Sequence, residues 1–204
     1  GDVYKRQGGM GAISPVPFIT KSIFEEVKQN IIEPTIKGLS VDKIEYVGFI
    51  FFGLILTKKG VQVIEYNCRM GDPETEAVLP RVEEDILMVM KESATKTIIS
   101  RTLKVNKQTA LTVMKVSGGY PEKYSKGIII NGIEKNRNDD CIVFQAGTKM
   151  EDNKLITNGG RVLCVTGLDI DPLNARKKAY ALLQTIKFKG EYSRHDIGND
   201  LGIK

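Results

Sequence analysis

The chain has 204 residues, 41% hydrophobic and 27% charged, the balance of a globular protein of one or two domains with enough apolar material for a core. Its 30 Lys and Arg against 25 Asp and Glu give a formal charge of +5 and a pI near 9.0, but the positive charges are scattered, so no nucleic-acid partner is expected. The three cysteines, Cys68, Cys141 and Cys164, make neither a disulfide framework nor a zinc pattern, and the longest apolar run, ten residues from Val47 to Leu56, is about half a bilayer span; a cytoplasmic chain without a membrane segment is expected.

Residues 1–7, GDVYKRQ, follow no periodic pattern and read as a ragged edge. GGMGA, residues 8–12, follows no predicted strand and lacks a P-loop ending, so by itself it is a flexible turn whose backbone can approach a ligand. Ile23, Phe24, Val27, Ile31 and Ile32 predict a helix over 21–38, with Ser22 as cap, Gly38 as stop and Pro34 as a kink or early end. VGFIFFGLIL and VQVIEYN, joined by TKKG, predict two strands; the first is apolar on both faces and is expected centrally in a sheet. Val78, Leu79, Val82, Ile86, Leu87 and Met90 predict one helix over 77–93 despite Pro80.

A boundary is expected near 104–108, dividing the chain into 8–104 and 105–204. Beyond it lie short strands, TALTVMKVS, KGIIING, CIVFQAG, KLITN and GRVLCVTG. One helix follows, with Pro172 near its start and Ala175, Ala179, Leu182, Leu183 and Ile186 as its apolar stripe. The expected class is α+β, with a small mixed-sheet domain and one covering helix as the second part.

The sharpest chemistry lies in EYNCRMGDPETE, residues 65–76. Period two puts Glu65 and Asn67 on one strand face, two hard oxygen ligands of the kind magnesium prefers, although Glu-x-Asn is equally the pattern of a solvated face. Arg69 is expected to follow on that face and to bind phosphate oxygens. Gly71, Asp72, Pro73 and Glu74 then supply a turn, carboxylates and a helix start with free N–H groups for an anion, or simply a capping turn. Arg161 and Lys149 have the reach to meet a phosphate, but a solvated charge is the ordinary reading; His195 is placed at the surface.

Taken together in this order, GGMGAISPVPF, EYNCRMGDPETE, SGGYPEKYSKG, FQAGTK, TNGGRVLCVTG and YSRHDIG resemble the glycinamide ribonucleotide synthetase family of ATP-grasp ligases, over roughly residues 8–198. The resemblance implies the C-terminal half of an ATP-grasp domain followed by the family's small C-terminal domain. It implies ligation of glycine to 5-phosphoribosylamine, with ATP cleaved to ADP and phosphate through a glycyl phosphate. It implies Glu65 and Asn67 as ligands of Mg2+ (or Mn2+), Arg69 and Asp72 as catalytic residues, and Gly8, Gly9, Met10, Gly11, Gly71, Pro73 and Glu74 as substrate contacts.

The chain departs from the family in three places. Arg6-Gln7 stands where members carry Asn-Thr, Gln145 stands where His is common, and the N-terminal domain with the first half of the ATP-grasp domain is absent. The isolated chain is therefore expected to be inactive, and the parent to be either a single ligase or a segment of a multifunctional purine enzyme. The rivals are another ATP-grasp carboxylate–amine ligase and a non-catalytic module derived from one.

Overall fold

The computed structural model describes residues 8–135 and 139–203; the ragged edge read at 1–7 lies outside the described residues. In chain order the elements are β1 (Gly11–Ser14), α1 (Lys21–Val27), α2 (Glu33–Val41), β2 (Phe51–Thr57), β3 (Gly60–Asn67), α3 (Thr75–Val78), α4 (Ile86–Ala94), β4 (Thr109–Val116), β5 (Cys141–Gln145), β6 (Thr148–Glu151), β7 (Lys154–Thr157), β8 (Arg161–Asp169) and α5 (Pro172–Thr185). They make an α+β protein in two compact units. One contains the described residues up to Pro15, Asp72–Arg81 and the chain from Asn106 onward; the other contains Val16–Gly71 and Val82–Val105. This differs from the sequential division at 104/105, because two short segments from the first half pack with the C-terminal strands.

In the first unit, an antiparallel sheet runs in the order β1-β4-β8-β5. Strand β4 is buried along its whole length, so both sheet faces are covered. Leu111, Val113, Leu163 and Val165 pack under Ala175, Ala179 and Leu183 of α5, the stripe read from the sequence. Asp171 caps α5 by accepting from Leu173 N–H, and Pro172 occupies its first turn. Gly167 marks the closest approach: a Cβ there would lie 2.2 Å from Ala175 O. On the other face Met10, Met114, Val116 and Cys164 cluster with Tyr120 and Phe144.

The buried hydroxyls on that side are satisfied, Thr112 against Thr166 at 2.7 Å and Thr166 donating to Glu76 O at 2.9 Å. Buried Arg81 ties the Asp72–Arg81 segment in place, donating to Gln108 O at 2.7 Å, Ser14 Oγ at 2.7 Å and Asn106 O at 3.2 Å. The strand expected at KGIIING is reduced to isolated bridges, Ile129 to Ile156 and Asn131 to Lys187, since Gly127 and Gly132 at either end have φ of +77° and +92°. GGMGA is not a free turn: Gly11 opens edge strand β1, whose partner β4 is far along the chain.

In the second unit, the predicted helix is capped by Thr20, not Ser22, and continues through Gly38 to Val41. A π-helical turn, Lys28–Ile32, precedes Pro34 and absorbs its missing N–H without ending the helix. Strands β2 and β3 form the expected hairpin, but among the described residues β2 pairs with β3 alone and is not central. Ile55 and Leu56 are consequently 48% and 46% exposed. The single helix expected over 77–93 is divided: in the first unit α3 passes into a 3-10 turn at Leu79–Arg81, where Pro80 removes a donor, and in the second unit α4 starts afresh where Asp85 accepts from Leu87 and Met88 N–H. Among the described residues no helix is long and apolar enough to cross a membrane.

Candidate functional site

Glu65 and Asn67 end strand β3 in the second unit. The hairpin register passes from Leu54–Val63 to Gly53–Glu65, so Ile64 is the extra residue of a bulge immediately before the pair. Opposite Glu65, Gly53 has no Cβ; one there would lie 2.8 Å from Glu65 Cγ, so the glycine makes the room in which Glu65 lies across the ribbon. Asn67 Nδ2 donates to Glu65 Oε1 at 2.9 Å, which puts the two head groups side by side on one exposed face. A half turn of the amide exchanges that donor for Oδ1, leaving two hard oxygens side by side.

This donor set fits magnesium, which takes one or two protein oxygens and completes its shell with water and phosphate. Among the described residues no group of three or more His, Cys, Asp and Glu could hold a metal. Beside Asn67 opens a cavity of about 290 Å³ lined mainly by Leu39, Ile44, Tyr46, Ile50, Tyr66 and Cys68. Arg69 does not continue the face of Glu65 and Asn67. The strand stops at Asn67, and in the bend that follows, Arg69 Nη1 donates to Met70 O at 2.9 Å. Period two holds only while the backbone stays extended. Gly71 is the last residue of this unit's first segment.

The remaining candidates lie in the first unit and interlock. Gly8 N–H donates to Tyr120 Oη at 2.8 Å, Met10 is buried, and Met114 N–H donates to Met10 O at 2.9 Å. A Cβ on Gly9 would lie 2.6 Å from Pro73 Cδ, and one on Gly11 would lie 2.7 Å from Ile197 Cδ1. Asp72 carries its carboxylate at the surface beside Arg161, Nη2 to Oδ2 at 3.0 Å. Glu74 precedes α3, whose Ala77 and Val78 N–H groups both donate to Glu74 O, at 3.1 and 2.9 Å. The helix start expected to hold an anion is four residues long, too short to sum a useful dipole.

Two residues outside the site expected from the sequence belong to this cluster. Arg161, weighed from the sequence as a phosphate contact or a solvated charge, is its central cation; the flanking glycines make room for other groups, a Cβ on Gly160 lying 2.3 Å from Tyr120 Cδ2 and one on Gly159 3.0 Å from Gly147 Cα, and gave no signal of this contact. Glu76 lies behind the loop with Oε2 buried and without a hydrogen-bond partner. Burial foremost, with the nearby charges of Asp72 and Glu74 and against a backbone hydrogen bond and Arg161, raises its pKa above the usual carboxylate value. Lys149 instead pairs with Glu151 at 3.1 Å in the β6–β7 ribbon. His195 is exposed, as expected.

Two consecutive family models match the chain: the phosphoribosylglycinamide synthetase ATP-grasp (A) domain over residues 1–75 and the C domain of the same synthetase over residues 110–200. A phosphoribosylamine–glycine ligase from Fusobacterium nucleatum is 45% identical over 194 residues, covering 94% of this chain and 45% of that protein. The trifunctional purine biosynthetic protein adenosine-3 of Gallus gallus is 40% identical over 199 residues, 97% of this chain and 20% of that one. The crystal structure of phosphoribosylamine–glycine ligase from Thermotoga maritima superposes with a TM-score of 0.80 at 31% identity, covering 93% of this chain and 46% of that one. The chain spans about half the length of the ligases it matches. With both domain models in sequence order and a fold that follows the Thermotoga structure over nearly all of its length, the chain belongs to the phosphoribosylglycinamide synthetase family.

Proposed function

We propose that this chain supplies the metal-holding and acceptor-side part of a phosphoribosylamine–glycine ligase acting in the cytoplasm on ATP, glycine and 5-phosphoribosylamine. The observation that carries the reading is the side-by-side carboxylate and amide of Glu65 and Asn67, set at a strand end directly before GDPE within the matched ATP-grasp span. In the reaction a glycine carboxylate oxygen attacks the γ-phosphorus of ATP and ADP leaves. The amine of phosphoribosylamine then attacks the acyl carbon of the glycyl phosphate, losing a proton as inorganic phosphate departs.

Glu65 and Asn67 would hold Mg2+ (or Mn2+), which would supply charge neutralisation at the phosphoryl oxygens. Arg69, exposed in the bend after the pair, binds the transferring phosphoryl group. The half-exposed Asp72 carboxylate is a catalytic group of the acceptor side, and Gly8, Gly9, Met10, Gly11, Gly71, Pro73 and Glu74 shape the backbone that the substrates meet. The chicken relative's trifunctional name indicates that family members also occur fused to other activities of purine synthesis.

The test is ADP formation by this chain fused behind the matching N-terminal part of the Fusobacterium relative. ADP release is expected to require glycine and phosphoribosylamine together; release driven by another carboxylic acid overturns the substrate assignment. In that fusion Glu65→Gln removes a charged metal ligand and is expected to lower kcat/KM by about 100-fold or more, roughly 3 kcal/mol. An unchanged magnesium dependence would show that the metal lies elsewhere. The 204-residue chain alone is expected to give no turnover.

A further inference from the structure

We propose that Arg161 is a positioning residue for the acceptor side of this site, locking the glycine turn at residues 8–9 onto the Asp72–Pro73 turn; this rests on the ligase reading above. Arg161 opens β8, and its own backbone is fixed before its side chain begins: Gly147 N–H donates to Arg161 O at 3.0 Å. From that base the guanidinium reaches two segments distant in sequence. Nη1 donates to Asp72 O at 2.7 Å and to Gly9 O at 3.4 Å, while Nη2 donates to Asp72 Oδ2 at 3.0 Å. Asp72 is thus gripped by backbone and carboxylate at once, which fixes both the turn and the direction of its side chain.

The glycines are the other half of the lock. A Cβ on Gly8 would lie 2.8 Å from both Cζ and Nε of Arg161, so the guanidinium lies against a backbone only glycine leaves open. Gly9 meets Pro73 in the same way, at 2.6 Å from Cδ. Tyr120 holds the far side by accepting from Gly8 N–H at 2.8 Å. Three hydrogen bonds of Arg161 go to Asp72 and Gly9, so its planar fork ties the two turns to each other. Lysine offers a single point charge in place of the planar fork and cannot hold a carbonyl and a carboxylate of the same residue together.

Hydrogen–deuterium exchange of the 204-residue chain tests the lock directly, comparing wild type with Arg161→Ala, Arg161→Lys and Gly8→Ala. Amides of residues 8–11, 72, 74 and 75 are expected to exchange at least tenfold faster in Arg161→Ala, with Arg161→Lys in between. Gly8→Ala, which leaves Arg161 present but displaced, is expected to reproduce the pattern. Protection across β4 and β8 is expected to stay unchanged in all three. Unchanged exchange at 8–11, 72, 74 and 75 overturns the proposal, and collapse of β4 and β8 protection in both Arg161→Ala and Gly8→Ala overturns it in favour of a purely structural role.

In the active fusion Arg161→Ala is expected to raise KM for glycine and phosphoribosylamine tenfold or more, with KM for ATP within twofold and partial rescue by Arg161→Lys. An equal rise in all three KM values, or none, counts against positioning. Loss of glycine-dependent turnover in the unsubstituted fusion would sink the ligase reading and leave the exchange result standing, so the two failures are distinguishable.

Discussion

Replacing Glu191 by alanine is expected to strand a buried ammonium. Lys115 is 3% exposed and donates from Nζ to Glu191 Oε1 at 2.9 Å and to Ile186 O at 2.5 Å. Glu191, 18% exposed, also accepts from Phe188 N–H at 2.8 Å and from Lys187 Nζ at 3.0 Å. The two partners shift unequally. Burial lowers the Lys115 pKa despite the carboxylate, whereas the Glu191 pKa, pushed up by its own burial, is brought below the usual value by Lys115, the Phe188 N–H and Lys187. The pair therefore compensates the carboxylate fully and the ammonium only in part.

Removing the carboxylate leaves the charge of Lys115 with a carbonyl alone, and breaking such a buried pair costs roughly 3 kcal/mol. At a urea slope of about 2 kcal/mol/M, the unfolding midpoint of this unit falls by about 1.5 M. Lys115→Met keeps the volume and removes the charge, while Glu191 retains Lys187 and Phe188 N–H; its cost is expected to stay below about 1.5 kcal/mol. The pH dependence has a definite sign. A lysine whose folded pKa is depressed carries its penalty at pH below that pKa, and the penalty is relieved as pH rises toward the ordinary value of 10.5. Glu191→Ala is therefore expected to regain stability between neutral and alkaline pH more steeply than wild type. A Lys115→Met variant as unstable as Glu191→Ala, or a Glu191→Ala variant with no alkaline recovery, would refute the reasoning.

Two further outcomes follow from packing. Gly167→Ala places a Cβ 2.2 Å from Ala175 O and 2.7 Å from Ala179 N, both backbone atoms of α5. The helix must move off the sheet by about 1 Å, and chemical denaturation is expected to show a loss of 1–3 kcal/mol or more; an unchanged midpoint would mean that α5 does not pack at this distance. For the thiols, Cys68 is exposed while Cys141 and Cys164 are buried at 6% and 1%. Burial also raises the pKa of both, foremost for Cys164. Titration with a thiol reagent is expected to label Cys68 alone in the native protein and all three cysteines in denaturant; rapid native labelling of Cys164 would show that the core beneath Met10 opens.

The sequence by itself determined the features that depend on near neighbours. Period two put Glu65 and Asn67 together because an extended backbone repeats every second residue, and the amphipathic stripe of α5, its start near Pro172 and the β2–β3 hairpin follow from equally local rules. The six ordered motifs carried the family, since order and spacing survive without any knowledge of contacts. Local rules failed where a strand or helix ends. Arg69 left the face of Asn67 because β3 stops there, and the helix expected over 77–93 broke at Pro80 and restarted at Asp85.

Only the tertiary structure decided which segments share a core. Residues 8–15 and 72–81 join the C-terminal strands because β1 needs β4 for its backbone hydrogen bonds and Arg81 needs the carbonyls of Asn106 and Gln108. The same dependence on distant partners turned Arg161 from one charge among thirty into the residue that grips Asp72 and Gly9. A guanidinium's role is set by the acceptors within its reach, and those acceptors come from parts of the chain that no local pattern connects.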